Sequence, residues 1–225
     1  MKFNKSMMKL YAITDQSWLN GKTLYEQVEE ALKGGVTCVQ LREKTLDEDV
    51  FLLEARELVS LCHRYNVPLI INDNIEIALK SKADGVHLGQ DDACIEEARK
   101  VLGQNAIIGV STHTVDEAIK ACQKGADYLG SGAVFVSNTK TNTIPMSKET
   151  LKQICEVSSV PVVAIGGITK ERLSYFKATG IDGVALISAV FNNENIEEAC
   201  KELHVLLDEI VRGNGYENSF NNCGK

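Results

Sequence analysis

The sequence predicts a single-domain α/β protein folded as a (β/α)8 TIM barrel. Apolar, β-rich runs alternate with segments of helical periodicity along the whole 225-residue chain. This alternation predicts a parallel sheet with right-handed crossovers. Four related short segments precede every second strand, which favours a closed barrel. No GxGxxG motif opens the first helix, which disfavours an open dinucleotide-binding sheet.

The eight strands are predicted where apolar and β-branched residues form short runs. The run at 68–71 is typical of strands buried on both faces, and it stops abruptly at Asn72, Asp73 and Asn74. In chain order, the predicted strands are 9–14, 38–42, 68–71, 85–87, 106–110, 128–130, 161–165 and 183–186.

Eight segments between and after these strands repeat their apolar residues with a period close to 3.6, which predicts amphipathic helices. The predicted helices are 24–33, 47–65, 75–81, 94–102, 115–124, 148–157, 170–179 and 194–211.

A weak internal repeat joins helix ends to strands through small residues. Its four copies read GGVTCVQL, KADGVHLG, GADYLGSG and GIDGVALI, and three of them carry an aspartate: Asp84, Asp127 and Asp182. The copies precede the second, fourth, sixth and eighth strands. A doubled β-α unit repeated four times fits a closed eight-stranded barrel.

Composition limits the function classes. Hydrophobic residues make up 44% of the chain, which allows a sizeable core, and the formal net charge of −7 disfavours a general nucleic-acid binder. No apolar run approaches the roughly 20 residues that a membrane span needs. The N-terminal residues lack a signal-peptide pattern. Seven scattered cysteines without a CxxC motif indicate buried thiols, a reducing setting and a cytoplasmic location.

Three regions are predicted along the chain. Residues 1–8 form an N-terminal extension of irregular structure, and residues 9–211 form the catalytic barrel. The tail, 212–225, is polar and rich in Gly and Asn, which predicts disorder.

Polar residues follow the predicted strands at their carboxyl ends, the edge that carries the reactive groups in TIM barrels. QLREK ends the second strand, and Asn72 and Asp73 follow the third. HLGQDD and GVSTHT end the fourth and fifth strands, and VFVSNTKTNT follows the sixth. AIGGIT and ALISA end the seventh and eighth. Turn propensity alone does not explain arginine, lysine and several carboxylates meeting at one rim.

Asp73 and Asp92 predict a magnesium site, because both are hard oxygen donors on neighbouring strand ends. The alternative is that each serves as a turn or N-cap residue. Arg42, Lys44 and Lys140 suit a polyphosphate, although each taken singly is compatible with a solvated surface charge.

A second phosphate site is predicted after the seventh and eighth strands. Gly166 and Gly167 allow backbone N–H groups to approach a phosphate, and Thr169 can cap the helix that follows. Ile187 and Ser188 come from the neighbouring strand end. A tight turn with an N-cap is the alternative interpretation. The two predicted sites together indicate the joining of two phosphorylated small molecules with loss of pyrophosphate.

No nucleophile constellation is persuasive among the remaining polar residues. Ser111 and His113 lack an evident third partner and are expected to position substrate. His87 lies within a strand, so a core or rim role and a catalytic role both remain open. His63 and His204 lie in helical patterns and are expected to be structural.

The motifs QLREK, IINDN, GVHLGQDD, IGVSTHT, the TK of the sixth loop, VVAIGGIT and GVALISA together resemble thiamine phosphate synthases, over about residues 9–210. The resemblance implies condensation of hydroxymethylpyrimidine diphosphate with thiazole phosphate, often in its carboxylated form. Thiamine phosphate and pyrophosphate would be the products, with CO2 from the carboxylated substrate. It also implies one Mg²⁺ ion per active site.

The resemblance assigns site residues by motif. The pyrimidine diphosphate would contact Gln40, Leu41, Arg42, Glu43, Lys44, Asn72, Ser111 and Lys140, of which Arg42, Lys44, Ser111 and Lys140 would be catalytic. Asp73 and Asp92 would hold Mg²⁺. The thiazole phosphate would contact Ser137, Asn138, Thr139, Gly167, Ile187 and Ser188. Val136 and Ser137 depart from the Pro-Thr that the family typically has in the sixth loop, which puts the rigidity of that loop in question.

Two rival functions remain open. A thiazole tautomerase is a related barrel that would not need the charged set formed by Asp73, Asp92, Arg42, Lys44 and Lys140. A non-catalytic phosphate-ligand sensor could keep IGGIT without releasing pyrophosphate. The expected partners are small-molecule substrates, with neither nucleic acid nor membrane, and a homo-oligomer is left open.

Overall fold

A computed structural model of the protein describes residues 2–90, 94–136 and 145–220. Eight parallel strands form a closed barrel in the order β1 to β8, with β8 paired to β1. The predicted (β/α)8 fold is therefore confirmed. The strands are β1 Leu10–Ile13, β2 Cys38–Leu41, β3 Leu69–Asn72, β4 Gly85–Leu88, β5 Ile107–Thr112, β6 Tyr128–Gly132, β7 Val162–Ile165 and β8 Gly183–Leu186.

The α-helices surround the barrel close to their predicted positions. They are α1 Leu24–Lys33, α2 Glu48–Arg64, α3 Ile75–Ser81, α4 Ile95–Leu102, α5 Val115–Gln123, α6 Lys148–Val157, α7 Ser188–Phe191 and α8 Ile196–Phe220. Short α7 was not predicted. At the start of several helices, the side chain of the N-cap residue accepts a hydrogen bond from a backbone N–H group. In α1, Thr23 and Glu26 form a complete capping box.

The helix predicted over 170–179 is a 3₁₀ helix that ends earlier, at Lys170–Phe176. Lys177 adopts a non-helical conformation and Ala178 has a positive φ of 58°, so the helical hydrogen-bonding pattern cannot continue to Thr179. Periodicity alone does not separate a 3₁₀ helix from an α-helix, and this accounts for the difference.

Two apolar layers share the strands because successive side chains point to opposite faces. One layer lies between strands and helices and includes Leu10, Val39 and Ile71. The other fills the barrel interior and includes Tyr11, Ile70 and Tyr128. Near-complete burial of both faces explains why the strand sequences are continuously apolar.

The repeated aspartates bind the starts of the preceding strands. The backbone N–H of Leu69 donates to Asp84 at 3.0 Å, that of Ile108 to Asp127 at 2.7 Å, and that of Val162 to Asp182 at 2.9 Å. In the first copy, the Thr37 hydroxyl accepts from the N–H of Leu10 at 2.9 Å. The repeat thus supplies side-chain acceptors for an N–H group of the first or second residue of β1, β3, β5 and β7.

Each aspartate also lies beside a nitrogen-bearing side chain from outside its repeat. Asp84 lies 2.8 Å from His63 Nε2, Asp127 lies 2.8 Å from Arg99, and Asp182 lies 2.7 Å from Lys5. The carboxylates therefore join strands to helices or to the N-terminal segment.

The N-terminal segment differs from the predicted irregular extension. Lys5–Met8 forms a 3₁₀ helix capped by the Asn4 side chain. Met8 is fully buried, and Phe3 and Met7 pack against the interior layer. The segment therefore covers the N-terminal end of the barrel, where an interior apolar layer would otherwise meet water.

The last helix extends to Phe220, whereas the sequence predicts a disordered tail over 212–225. Helical hydrogen bonds are local, so the backbone can continue as a helix through a polar segment that contains Gly and Asn. The prediction for 221–225 lies outside the described residues. Among the residues that the structure describes, no helix is long and apolar enough to span a membrane.

The six cysteines in the described ranges are all free. Cys38, Cys62 and Cys200 are buried, Cys122 and Cys155 are half-buried, and Cys94 is exposed. Burial raises the pKa of Cys62 and of Cys200 to about 12, so both remain thiols near neutral pH.

Candidate active site

A cavity opens at the carboxyl ends of the strands, where the sequence places the polar residues. It brings together seven of the residues that the family resemblance assigns to the site, and they come from both sides of the barrel. These seven are Gln40, Arg42, Asn72, Ser111, Gly167, Ile187 and Ser188.

Gln40 and Arg42 are aligned by the end of β2. Gln40 is only 3% exposed, and its Nε2 donates to the Tyr11 hydroxyl at 2.8 Å. The N–H of Arg42 donates to Thr14 Oγ1 at 3.0 Å, which ties the residue after β2 to the end of β1. The guanidinium of Arg42 is therefore available to the cavity from an anchored backbone.

Leu41 lies between Gln40 and Arg42, and Glu43 follows Arg42. Neither residue lines the cavity. Leu41 is fully buried in the layer between strands and helices. Glu43 accepts from Gln16 Nε2 at 3.3 Å and lies near Glu54 of α2. Desolvation raises the pKa of Glu43. Any ligand contact at these two positions would fall to the backbone, because alternation along β2 sends the side chain of Leu41 away from the cavity.

Lys44 and Asp73 form an ion pair at the rim, with Lys44 Nζ 2.6 Å from Asp73 Oδ2. Asp73 adopts a positive φ of 62°, and its N–H donates to the carbonyl of His87 at 2.8 Å. The predicted phosphate-binding lysine thus pairs with a predicted metal ligand.

Asp73 fits a magnesium site in chemistry and position, because it offers a hard carboxylate oxygen at the cavity rim. Its predicted partner Asp92 lies outside the described residues. Within the described ranges, no group of three or more His, Cys, Asp or Glu side chains could hold a metal ion. Any bound Mg²⁺ would therefore need Asp92, water or substrate oxygens as further ligands.

Ser111 lies near the end of β5 and His113 directly follows this strand, and both line the cavity. Ser111 Oγ lies 3.0 Å from His87 Nε2. Glu117 of α5 accepts from the backbone N–H of His113 at 2.6 Å and lies 3.2 Å from its Nδ1. The ring of His113 is thus held by a local carboxylate while it lines the cavity.

Two tight turns form the opposite side of the cavity. Gly166 and Gly167 have φ values of 102° and 58°, and a Cβ on Gly167 would lie 2.6 Å from the carbonyl oxygen of Val136. Ile187 leads directly into α7, whose first residue is Ser188. Both turns bring backbone groups to the cavity, and Ile168 and Ile187 also line it.

The proposed cap by Thr169 is wrong in its detail. Thr169 precedes the 3₁₀ helix, but its side chain makes no capping hydrogen bond to the backbone. It hydrogen-bonds the Glu171 carboxylate instead and thereby lowers the pKa of Glu171. A nearby carboxylate competes for the hydroxyl, which residue type alone does not reveal.

Five predicted site residues lie outside the described residues. They are Asp92, Ser137, Asn138, Thr139 and Lys140. Their assignments remain predictions.

The floor of the cavity contains residues to which the sequence assigned no definite role. Tyr11, His87 and Tyr128 are almost completely buried, and all three line the cavity. Polar-tipped rings at inward-facing strand positions are the signal that could have identified them. Gly130 leaves room for His87, because a Cβ there would lie 2.8 Å from its ring.

The chain is similar to known proteins along nearly its whole length. A family model described as thiamine monophosphate synthase matches residues 10–190. A thiamine-phosphate synthase of Clostridium novyi is 52% identical over 196 residues, which cover 87% of this chain and 96% of the relative. A second such protein, from Clostridium tetani, is 44% identical over 200 residues, covering 89% and 96% of the two chains.

A solved structure is similar to this protein in both fold and sequence. The thiamine phosphate pyrophosphorylase of Pyrococcus furiosus superposes with a TM-score of 0.84 at 39% identity, covering 92% of this chain and 98% of that one. The family match, the barrel and the cavity agree, and the chain therefore belongs to the thiamine monophosphate synthase family.

Proposed function

We propose that this protein is a thiamine phosphate synthase that condenses hydroxymethylpyrimidine diphosphate with thiazole phosphate or its carboxylated form. The observation that carries the proposal is the division of one cavity into two chemically different sides. Arg42, Asn72 and Ser111 line one side, and the turns at Gly167 and Ser188 line the other. A condensing enzyme needs two such binding regions facing one reaction centre.

The side formed by β2, β3 and β5 would bind the pyrimidine diphosphate. Arg42 can engage two phosphate oxygens with its planar fork, and Lys44 adds a point charge at the rim. Gln40, Asn72 and Ser111 supply neutral polar groups. The backbone at Leu41 and Glu43 and the ammonium of Lys140 complete the proposed set.

The side formed by the ends of β7 and β8 would bind the thiazole phosphate. TIM barrels commonly bind phosphate at the loops after these two strands, beside a short extra helix. Gly167, Ile187 and Ser188 occupy those positions in this chain. Ser137, Asn138 and Thr139 of the sixth loop are proposed to complete this site.

The reaction would proceed through a dissociative step. The bond between the pyrimidine methylene carbon and the diphosphate oxygen breaks, and its electron pair leaves with pyrophosphate. Arg42, Lys44 and Lys140 stabilise the negative charge that grows on the leaving group. The aminopyrimidine ring stabilises the positive carbon until the thiazole nitrogen donates its lone pair to form the new carbon–nitrogen bond.

Magnesium would assist this step. Asp73 and Asp92 are the residues proposed to hold one ion, which when bound would neutralise charge on the diphosphate oxygens. Lys44 pairs with Asp73 in the structure, and this contact supports the proposal that the lysine acts beside the metal and the diphosphate. No covalent protein nucleophile is required.

Purified protein mixed with both substrates and Mg²⁺ tests the proposal. The expected result is formation of thiamine phosphate and pyrophosphate in equal amounts, and no product when either substrate is omitted. Interconversion of thiazole isomers without release of pyrophosphate would instead identify a thiazole tautomerase. Binding of both ligands without turnover would identify a sensor.

A further inference from the structure

A chain of four hydrogen bonds crosses the floor of the cavity. Gln40 Nε2 donates to the Tyr11 hydroxyl at 2.8 Å, and this hydroxyl lies 2.7 Å from that of Tyr128. The Tyr128 hydroxyl lies 2.9 Å from His87 Nδ1, and His87 Nε2 lies 3.0 Å from Ser111 Oγ. The chain links two proposed pyrimidine-site residues, Gln40 and Ser111, through three rings.

The directions of these bonds follow from counting donors and acceptors. The Gln40 amide nitrogen can only donate, so the Tyr11 oxygen accepts and the Tyr11 proton needs another acceptor. The Cys38 thiol also interacts with Tyr11, but thiol sulfur is a weak acceptor, which leaves the Tyr128 oxygen. The Tyr128 proton then has His87 Nδ1 as its acceptor.

This sequence of donors determines the tautomer of His87. With Nδ1 accepting from Tyr128, a neutral imidazole carries its proton on Nε2 and donates it to Ser111 Oγ. The proton of the serine hydroxyl is then directed away from His87, toward the cavity. Both phenols keep their protons near neutral pH, because burial raises the pKa of Tyr11 and of Tyr128 well above its usual value.

The surroundings preserve this arrangement. Tyr11 and Tyr128 are 1% and 0% exposed, so water does not compete for their hydroxyls. The ring centroids of His87 and Tyr128 are 5.5 Å apart, and those of Tyr11 and Tyr128 are 5.8 Å apart. A chain of bonds pointing in one direction in such a poorly solvated setting is cooperatively strengthened.

We propose that Tyr11 and Tyr128 are positioning residues that hold His87 as the Nε2–H tautomer and so make Ser111 a hydrogen-bond donor to the ligand. A free serine hydroxyl can donate or accept, whereas this one selects a ligand that presents an acceptor atom, such as a phosphate oxygen or ring nitrogen. The identity of that ligand rests on the proposed function. The tautomer and the bond directions do not.

¹⁵N NMR of the full-length protein, labelled with ¹⁵N-histidine, tests the tautomer of His87 without any substrate. The His87 resonances, assigned by their loss in His87→Gln, should show a protonated Nε2 and an unprotonated Nδ1 near neutral pH. Tyr128→Phe removes the donor to Nδ1 and should shift the population toward Nδ1–H. Tyr65→Phe, a tyrosine on the outer side of the barrel, is the matched control and should leave the pattern unchanged.

Kinetics provide the second measurement. Tyr128→Phe should weaken pyrimidine diphosphate binding by about fivefold to tenfold, the loss expected for one misdirected hydrogen bond, and leave thiazole phosphate binding within roughly twofold. Tyr11→Phe, one step further from Ser111, should have a smaller effect of the same kind.

A parent protein with His87 protonated on Nδ1 would overturn the proposal, as would an unchanged Nε2–H pattern in Tyr128→Phe. If Tyr128→Phe fails to fold, the parent spectrum and Tyr11→Phe still decide the question. A protein that shows the expected tautomer but forms no thiamine phosphate would reject the proposed function and leave the hydrogen-bond chain intact.

Discussion

A substitution at Gly167 should impair binding on one side of the cavity and not on the other. Its positive φ and the close approach of Val136 and Phe135 leave no space for a side chain. Gly167→Ala should raise the KM for thiazole phosphate roughly tenfold, because the displaced turn misplaces the phosphate. The affinity for pyrimidine diphosphate should change little.

Gly103→Ala is the matched control for this substitution. Gly103 also has a positive φ, 88°, but no atom lies within 4 Å of its potential Cβ. Similar kinetics in the two variants would show that backbone strain alone, rather than the turn at the cavity, produces the effect. A selective loss of pyrimidine diphosphate binding in Gly167→Ala would mean that the two sites are exchanged.

The ion pair of Lys44 and Asp73 predicts competition between the lysine and a metal ion. The ammonium occupies Asp73 Oδ2, so Lys44→Ala should tighten binding of Mg²⁺ or Mn²⁺ to the protein alone. An exposed pair of this kind contributes about 0.2–1 kcal/mol, which corresponds to less than about a fivefold change in Kd. Titration followed by the electron paramagnetic resonance of Mn²⁺ measures it.

Two further variants make this measurement decisive. Lys44→Arg keeps the positive charge and should bind the metal as weakly as the parent. In an Asp73→Asn background, Lys44→Ala should no longer improve affinity, since the competing pair is already absent. Unchanged or weaker metal binding in Lys44→Ala alone would contradict the competition.

At the scale of elements, a carboxyl pair joins the loop after β2 to α2. Burial and the neighbouring Glu43 and Glu57 raise the pKa of Glu54 from 4.5 to about 7, and its Oε2 has no hydrogen-bond partner. The folded protein therefore holds this proton between about pH 4.5 and 7, where the unfolded chain has released it. The contribution to the free energy of unfolding is complete below this range and is lost as the pH rises through it.

Glu54→Gln should flatten this pH dependence, because the amide stays neutral. At pH values above 7 the variant should be more stable than the parent by about 1 kcal/mol, a figure reduced because the carboxyl is partly exposed and screened. Chemical denaturation across the pH range provides the test. Glu57→Gln, on the exposed face of the same helix, should keep most of the parent's slope, and parallel curves for Glu54→Gln and the parent would reject the assignment.

The repeated strand-start contacts are a second feature at this scale. Asp127 accepts the N–H of Ile108 and pairs with Arg99, so Asp127→Ala leaves a strand donor without its acceptor and the arginine without its carboxylate partner. The free energy of unfolding should fall by about 1–3 kcal/mol. Asp116→Ala, an exposed aspartate on α5, should lower it by less than about 1 kcal/mol. Equal effects of the two substitutions would mean that the repeat contributes no more than a surface charge.

At the scale of the whole molecule, one end of the barrel is closed by packing and the other end carries the proposed active site. Met8 closes the N-terminal end and is fully buried in the interior layer, while the cavity opens at the carboxyl end. Met8→Ala should lower the free energy of unfolding by about 2–5 kcal/mol, the usual range for removing a large core side chain. The kcat and KM of the protein that remains folded should stay within roughly twofold of the parent.

Met7→Ala is the control, because Met7 is only partly buried against the same layer. It should lower the free energy of unfolding by less than Met8→Ala does. A large change in KM for either substrate with Met8→Ala would show that the two ends of the barrel are coupled.

The sequence by itself determined the order of strands and helices, the closed barrel and the rim on which the polar residues lie. Periods of 2 and 3.6 residues are local properties, so the bounds of α1, α3 and α6 could be predicted to the residue. The end of each strand is likewise marked by residues close to it in the sequence. Because parallel strands share one carboxyl edge, Arg42, Asn72 and Ser111 could be assigned to a common cavity before their distances were known.

Only the tertiary structure decided which of these residues touch. Tyr11 and Tyr128 are 117 positions apart and meet because barrel closure and strand register place them in one interior layer. The pairing of Lys44 with Asp73, the approach of Glu43 to Glu54 and the burial of Met8 likewise depend on how separate elements pack. Sequence periodicity states which face a side chain occupies, but the position of the opposing element determines its partner, and that position is a property of the closed barrel as a whole.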